Sequence, residues 1–253
     1  MSRGGPVTQF VGVMVGAGRG AAAEPAFAPG EPAPMGQKQR GEARMGDLVQ
    51  VTVRGRQGKV VRVFGPSRSP MAAMAAVLAD DGKGWGMPRR VDAEAGALAE
   101  GDPLADAGRR DMTAQSVVTI DPEGAKDHDD AIAAAPEGDG VRLWVHIADV
   151  SHYVAPGGDI DAEAERRGNS VYLPGTVDPM LPTRLANDLC SLRPGVVRRV
   201  VTAEILVHPD GSVSDTRFYR AAIRSECRLT YPDVDRYLDG APLPADGLAP
   251  TVD

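Results

Sequence analysis

The stretch Val117-Val-Thr-Ile-Asp-Pro-Glu-Gly-Ala-Lys-Asp-His-Asp-Asp-Ala-Ile132 constrains this chain more than any other. Four aspartates, Asp121, Asp127, Asp129 and Asp130, lie within ten residues, and three of them share one tetrapeptide. Apolar runs flank them, Val117 to Ile120 before and Ala131 to Ala133 after. That pattern predicts a strand that ends in an acidic loop, followed by a chain that re-enters the core. Crowded carboxylates repel one another unless water or a cation neutralises them. On spacing alone, a solvated acidic turn stays open as a reading. The flanking apolar runs favour a site instead. Oxygen-only donors select a hard ion, magnesium or manganese, over zinc. Such ions serve phosphoryl chemistry.

Familiar acidic motifs do not fit. An EF-hand loop needs a glycine and a distant glutamate at fixed positions, and both are missing. In a haloacid-dehalogenase motif the first aspartate directly follows an apolar strand, whereas Gly124-Ala-Lys126 precedes Asp127. Asp127-His-Asp129 matches the tripeptide of the DHH phosphoesterases, but the upstream histidine and paired aspartate of that family are not visible.

The N-terminal part has a different character. Thr8 to Val15 predicts a strand and Gly16 to Gly20 a turn. Asp47 to Arg54 alternates apolar and polar residues, Gly55 to Gly58 turns the chain, and Lys59 to Phe64 is again β-branched. That pair predicts a hairpin, and residues 5–65 together predict a small antiparallel β-barrel. The Pro- and Gly-rich residues 28–37 predict a long loop interrupting it. Residues 66–104 predict a helical linker region, with helices over 71–79 and near 91–99. Residues 105–253 form the remaining domain. There Val141 to Ala148 predicts a strand, Asp159 to Arg167 and Thr183 to Leu192 helices, and Val201 to Ile223 a β-hairpin. Tyr231 to Leu238 predicts a short helix, and residues 240–253 an unstructured end. His146 and His152 lack the further Cys or His that a zinc site needs, so His146 is expected to be a strand residue with a satisfied partner.

The acidic run and the segments after it resemble the catalytic (RNB) domain of the ribonuclease II/ribonuclease R family of 3′-to-5′ exoribonucleases, which carries T-[IV]-D-x5-D-x-D-D-A. The resemblance continues in Val145-His-Ile-Ala-Asp-Val-Ser-His-Tyr-Val154, Ser170-Val-Tyr-Leu-Pro174, Pro179-Met-Leu-Pro182, Leu189-Cys-Ser-Leu192 and Arg228-Leu-Thr-Tyr231. Arg109-Arg-Asp111 also recurs in the family ahead of the acidic motif. The ordered series spans roughly residues 105–239. It implies an α+β chain in which a cold-shock-like OB domain precedes the catalytic domain. It also implies that Asp121, Asp127, Asp129 and Asp130 bind Mg2+ (or Mn2+), with Asp129 the carboxylate whose loss abolishes turnover. Tyr172 would help set the final product length and Tyr231 would recognise ribose. Arg19, Arg54, Arg56, Lys59 and Arg62 would contact the backbone of single-stranded RNA. The phenylalanines Phe10, Phe27 and Phe64 could stack on bases or pack in the core. One position departs from the family, where the residue between Asp127 and Asp129 is commonly apolar; in this sequence it is His128. The family's domain continues well beyond the equivalent of residue 253, into a catalytic arginine, more of the RNA channel and an S1 domain. The 253 residues alone are therefore expected to bind RNA weakly and hydrolyse little. A non-catalytic RNA-binding fragment is the alternative.

Charge distribution agrees with that reading. The net charge of −7 hides an asymmetry. Residues 1–70 carry ten Lys/Arg against four Asp/Glu, and the rest carry 18 against 31. RNA affinity follows the local basic surface rather than the total. No apolar run approaches the roughly 20 residues of a membrane span, and the start has no signal-like apolar segment. Two cysteines, Cys190 and Cys227, predict reduced thiols and a cytoplasmic location. No membrane and no obligate protein partner are implied.

Overall fold

The computed structural model describes residues 8–18, 20–82, 86–174 and 176–242. The chain divides into two compact units, one of residues 1–87 with 171–178, the other of residues 88–170 with 179–253.

In the first unit, β1 (Thr8–Ala17), β2 (Gly20–Pro25), β3 (Ala33–Met35), α1 (Gln37–Arg40), β4 (Asp47–Arg54), β5 (Gln57–Pro66) and α2 (Pro70–Asp80) follow in order. The five strands form an antiparallel sheet ordered β3-β2-β1-β4-β5. Strand β3 lies inside the segment predicted as a loop. It forms because Ala33 and Met35 are buried while Pro34 between them faces out. A proline that cannot donate is tolerated on an edge strand. No ladder joins β3 to β5 among the described residues. The two edges still approach, since a Cβ on Gly58 of β5 would lie 3.0 Å from side-chain atoms of Ala33 and Met35. The curled sheet encloses Met14, Ala23, Val49 and Val51. On its other side Val11 and Leu48 meet Ala72 and Ala76 of α2. The Ser69 hydroxyl caps that helix, accepting from Ala72 N–H at 3.4 Å, and Pro70 occupies its first turn.

The second unit holds α3 (Arg89–Ala97), β6 (Arg110–Asp111), β7 (Val118–Asp121), β8 (Asp130–Glu137), β9 (Gly140–Ala148) and α4 (Asp159–Arg167). The hairpin β10 (Val171–Leu173) and β11 (Thr176–Asp178) interrupts it and groups with the first unit, where Gly86 N–H donates to Asp178. The second unit resumes with β12 (Val197–Val207), β13 (Val213–Arg224), β14 (Cys227–Thr230) and α5 (Tyr231–Leu238). Its seven-stranded sheet runs β14-β7-β8-β9-β12-β13-β6. The edge strands β14 and β6 pair in parallel and all other pairs are antiparallel. The segment 66–104, read from sequence as a linker, is split: α2 packs on the first sheet, and α3 packs beside α4 in the second unit. The helix expected over 183–192 starts where expected, with residues 183–184 helical, but ends early in a five-residue π-turn, Leu185–Leu189, closed by Cys190 N–H to Leu185 O at 2.9 Å. Beyond it the backbone bonds elsewhere, with Leu192 N–H donating to His128 O. The unstructured end expected over 240–253 lies outside the described residues from 243 onward.

Alternation fixes the two faces of the large sheet. His146 on β9 pairs across from Thr202 on β12, and both are fully buried. The next row, Ile147 beside Val201, is exposed, and Phe218 on β13 is 74% exposed. No helix among the described residues is long and apolar enough to cross a membrane.

This packing makes two positions sensitive probes of stability. A Cβ on Gly12 would sit 2.5 Å from Glu24 O and 2.8 Å from the Phe10 ring. Gly12→Ala must push β2 off β1 and should cost about 1–3 kcal/mol, seen as a lower denaturant midpoint. His146 is the second case. Burial lowers its pKa to about 4, and its Nδ1 meets only the Thr202 hydroxyl, at 2.9 Å. Between pH 6.5 and 4 the unfolded chain binds this proton and the folded chain does not. Stability therefore falls as pH drops through that window, by up to about 3 kcal/mol. Unfolding free energies measured across it should show the slope, and His146→Gln should flatten it.

Candidate metal and RNA site

The acidic segment connects two neighbouring strands. The chain leaves β7 at Asp121 and enters β8 at Asp130, so both aspartates lie at one end of the sheet. Residues 122–129 contain no helix or strand. Asp121 pairs in register with Thr230 of β14, and Tyr231 follows directly as the first residue of α5. The parallel pairing thus brings Tyr231 to the same end of the sheet as the aspartates. Helix α5 starts there because Thr230 and Asp233 form a reciprocal capping box and Pro232 fits its first turn.

Each aspartate has a distinct environment. Asp121 is buried, and its Oδ2 has no hydrogen-bond partner. Asp127 is half-buried, and Asp129 and Asp130 reach the surface. The backbone carbonyl of Asp129 accepts from Ala148 N–H at 2.8 Å, and Asp130 stands opposite Ile147 on β9. Partial burial raises the Asp129 pKa even though the side chain is accessible, and the charges of Asp130 and Asp127 add to the effect. His128 turns inward and is buried. Its Nδ1 lies 3.2 Å from the Ser191 hydroxyl, and its Nε2 has no partner.

These donors suit a hard cation in kind, since all four are carboxylates and one is buried with an unpartnered oxygen. A cation would offset both the mutual repulsion felt at Asp129 and the desolvation of Asp121. Among the described residues, no three His, Cys, Asp or Glu side chains form a ready-made metal cage.

The remaining sequence-predicted residues are dispersed. Tyr172 lies on β10 opposite Val177 and is 69% exposed. Arg54, Arg56, Lys59 and Arg62 are all exposed on or between β4 and β5. The Arg62 guanidinium lies 5.0 Å over the Phe64 ring. Phe10 and Phe64 are half-buried against the two core clusters, and Phe27 is exposed. Arg19 lies outside the described residues.

Sequence reasoning missed two participants, Ser191 and Arg228. Ser191 Oγ donates to Lys126 O at 2.9 Å, and an Arg228 Nη donates to the carbonyls of Pro122 and Glu123. Both belong to segments matched by resemblance, Leu189-Cys-Ser-Leu192 and Arg228-Leu-Thr-Tyr231, but nothing in the local pattern marked their side chains as loop contacts.

Comparison with known proteins agrees with this arrangement. The RNB domain family matches residues 109–248. Ribonuclease R of Vibrio cholerae is 42% identical over 210 residues, covering 79% of this chain and 26% of the relative. Ribonuclease R of Thermotoga maritima is 41% identical over 188 residues, 72% of this chain and 26% of that protein. The chain thus spans about a quarter of the length of these relatives. Among solved structures, Mycoplasma genitalium ribonuclease R in complex with double-stranded RNA superposes with a TM-score of 0.83 at 29% identity, over 94% of this chain and 44% of that one. Yeast Ssd1, a pseudonuclease, shares the fold at a TM-score of 0.73 and 15% identity, over 94% of this chain and 32% of that one. With the acidic loop at the sheet end and a family match over more than half its length, the chain belongs to the RNB domain family.

Proposed function

We propose that this segment carries the metal-binding aspartates of a 3′-to-5′ exoribonuclease that hydrolyses single-stranded RNA to nucleoside 5′-monophosphates. The observation that carries the reading is the loop itself: four carboxylates between adjacent strand ends, one buried with an unpartnered oxygen. Asp121, Asp127, Asp129 and Asp130 would hold Mg2+ or Mn2+. A cation bound there would polarise the terminal phosphodiester and lower the pKa of the attacking water. Tyr231, at the same sheet end as Asp121, would recognise a ribose near that phosphate. In the first unit, Arg54, Arg56, Lys59 and Arg62 present exposed cations to the phosphate backbone, and exposed Tyr172 offers a face for base stacking.

A second reading is RNA binding without hydrolysis. It needs only the exposed cations of β4 and β5, which can meet phosphates without the aspartates. The two readings separate in a polypeptide of the relatives' length that carries this segment, assayed on 5′-labelled poly(A). Magnesium-dependent release of mononucleotides from the 3′ end is expected. Asp129→Asn should remove that turnover while sparing RNA binding, because the amide keeps the shape but loses the charge that holds the cation. Degradation at the parent rate by Asp129→Asn would place the chemistry elsewhere.

Tyr172→Ala in the same polypeptide should lengthen the final oligonucleotide and leave hydrolysis of long RNA intact. Stacking contributes about 1–3 kcal/mol per base, so its loss releases short products sooner while longer RNA is still held by other contacts. An unchanged end product on a denaturing gel would assign Tyr172 a purely structural role.

A further inference from the structure

Residues 122–129 carry Asp127 and Asp129 without the support of a helix or strand. The loop closes one turn on itself, with Ala125 N–H donating to Pro122 O at 3.0 Å. Further bonds reach its backbone from outside it. At its start, an Arg228 Nη donates to Pro122 O at 2.8 Å and to Glu123 O at 2.5 Å. At its end, the Ser191 hydroxyl donates to Lys126 O at 2.9 Å and accepts from His128 N–H at 3.3 Å, so it spans Asp127. Leu192 N–H donates to His128 O, and Ala148 N–H to Asp129 O, each at 2.8 Å. A hydroxyl has one proton, and Ser191 uses it on Lys126 O. The 3.2 Å contact to His128 Nδ1 is then a hydrogen bond only if Nδ1 carries the proton. Ser191 is itself fixed, being fully buried with its carbonyl accepting from Arg198 Nε at 3.0 Å. Arg228 grips two carbonyls and Ser191 a carbonyl and an amide, and neither clamp grips a carboxylate of the loop in these bonds.

We propose that Ser191 and Arg228 are positioning residues, which hold the backbone of the aspartate loop so that its carboxylates can share one divalent cation. This rests on the reading that those aspartates bind the ion. Four like charges drive such a loop apart, and a loop fixed beforehand gives up less freedom when the cation binds. Loss of groups that orient metal ligands characteristically costs 10- to 100-fold in metal affinity, so about that loss is expected for each clamp.

The test is Mn2+ binding by the full chain, followed by electron paramagnetic resonance of the free ion, with thermal unfolding recorded on the same samples. Ser191→Ala and Arg228→Gln should each weaken binding by about 10- to 100-fold. Ile160→Val, in the buried core of the same unit, should lower the melting temperature and leave Mn2+ affinity alone, which separates positioning from general destabilisation. Asp129→Asn tests the underlying reading. If it leaves Mn2+ binding unchanged, the aspartates are not the ion site and that reading fails. If it abolishes binding while Ser191→Ala and Arg228→Gln bind like the parent, the positioning inference is overturned and the reading stands. Should Ser191→Ala fail to unfold cooperatively, half-buried Arg228→Gln decides by the same criterion.

Discussion

A buried guanidinium must have its donors satisfied, and in the second unit three arginines meet that demand by tying distant segments together. Arg198 and Arg199 are consecutive on β12, so their side chains leave opposite faces of the strand. Arg198 donates to Ser191 O and Asp188 O and pairs with Glu100. Arg199 pairs with Asp106 and donates to Glu100 O and the Tyr153 hydroxyl. Arg109 donates to Val200 O and Ala221 O and pairs with Asp149 at 2.7 Å. Removing one partner of such a pair strands a buried charge, which characteristically costs more than the pair contributes to stability. What the network supplies is registration. It fixes residues 100–109, the turn at 149–153 and the segment 188–192 to the same two strands.

That registration reaches the acidic loop by two routes. Asp149, held by Arg109, follows Ala148, whose N–H holds the Asp129 carbonyl. Ser191, held by Arg198, carries the hydroxyl that spans Asp127. The charge states suit the task. The hydrogen bond from Arg199 brings the Asp106 pKa down to about 2, so its side of the network stays ionised across neutral pH. Partial burial and neighbouring carboxylates move Asp129 the opposite way. Two carboxylates of one sequence thus diverge. Asp106 is neutralised by arginine, whereas Asp129 sits among like charges, the situation that the proposed cation would relieve.

Much of this was legible where the determinants are local. Helix α4 occupies Asp159–Arg167, with acidic residues in its first turn and arginines in its last, as the helix dipole favours. Helix α5 occupies Tyr231–Leu238 because its capping box is written in four consecutive residues. The strand–loop–strand around the aspartates followed from apolar flanks. Features set by distant partners were not legible. Strand β3 hides in a Pro-rich stretch, and only its partner β2 reveals that Ala33 and Met35 alternate inward. The π-turn at Leu185–Leu189 reads as an ordinary helix until the competing bonds of Ser191 and Leu192 are known. The grouping of hairpin β10–β11, with Tyr172, in the first unit depends on contacts far away in sequence. The parallel pairing that sets Thr230 beside Asp121 joins residues more than a hundred apart, and no local pattern encodes it.

Fold and chemistry separate at the acidic loop. The same architecture recurs in yeast Ssd1, a pseudonuclease, at 15% identity, so the fold carries no warrant for hydrolysis. The seven-stranded sheet is specified by apolar alternation and buried arginine pairs, none of which requires an acidic loop. Four aspartates between two strand ends are costly to any fold that does not use them, because Asp129 sits against the charges of Asp127 and Asp130 and Asp121 is buried without a hydrogen bond to its Oδ2. The proposal of chemistry at this end of the sheet therefore rests on the acidic loop and the unpartnered Asp121 oxygen, independently of the fold that presents them.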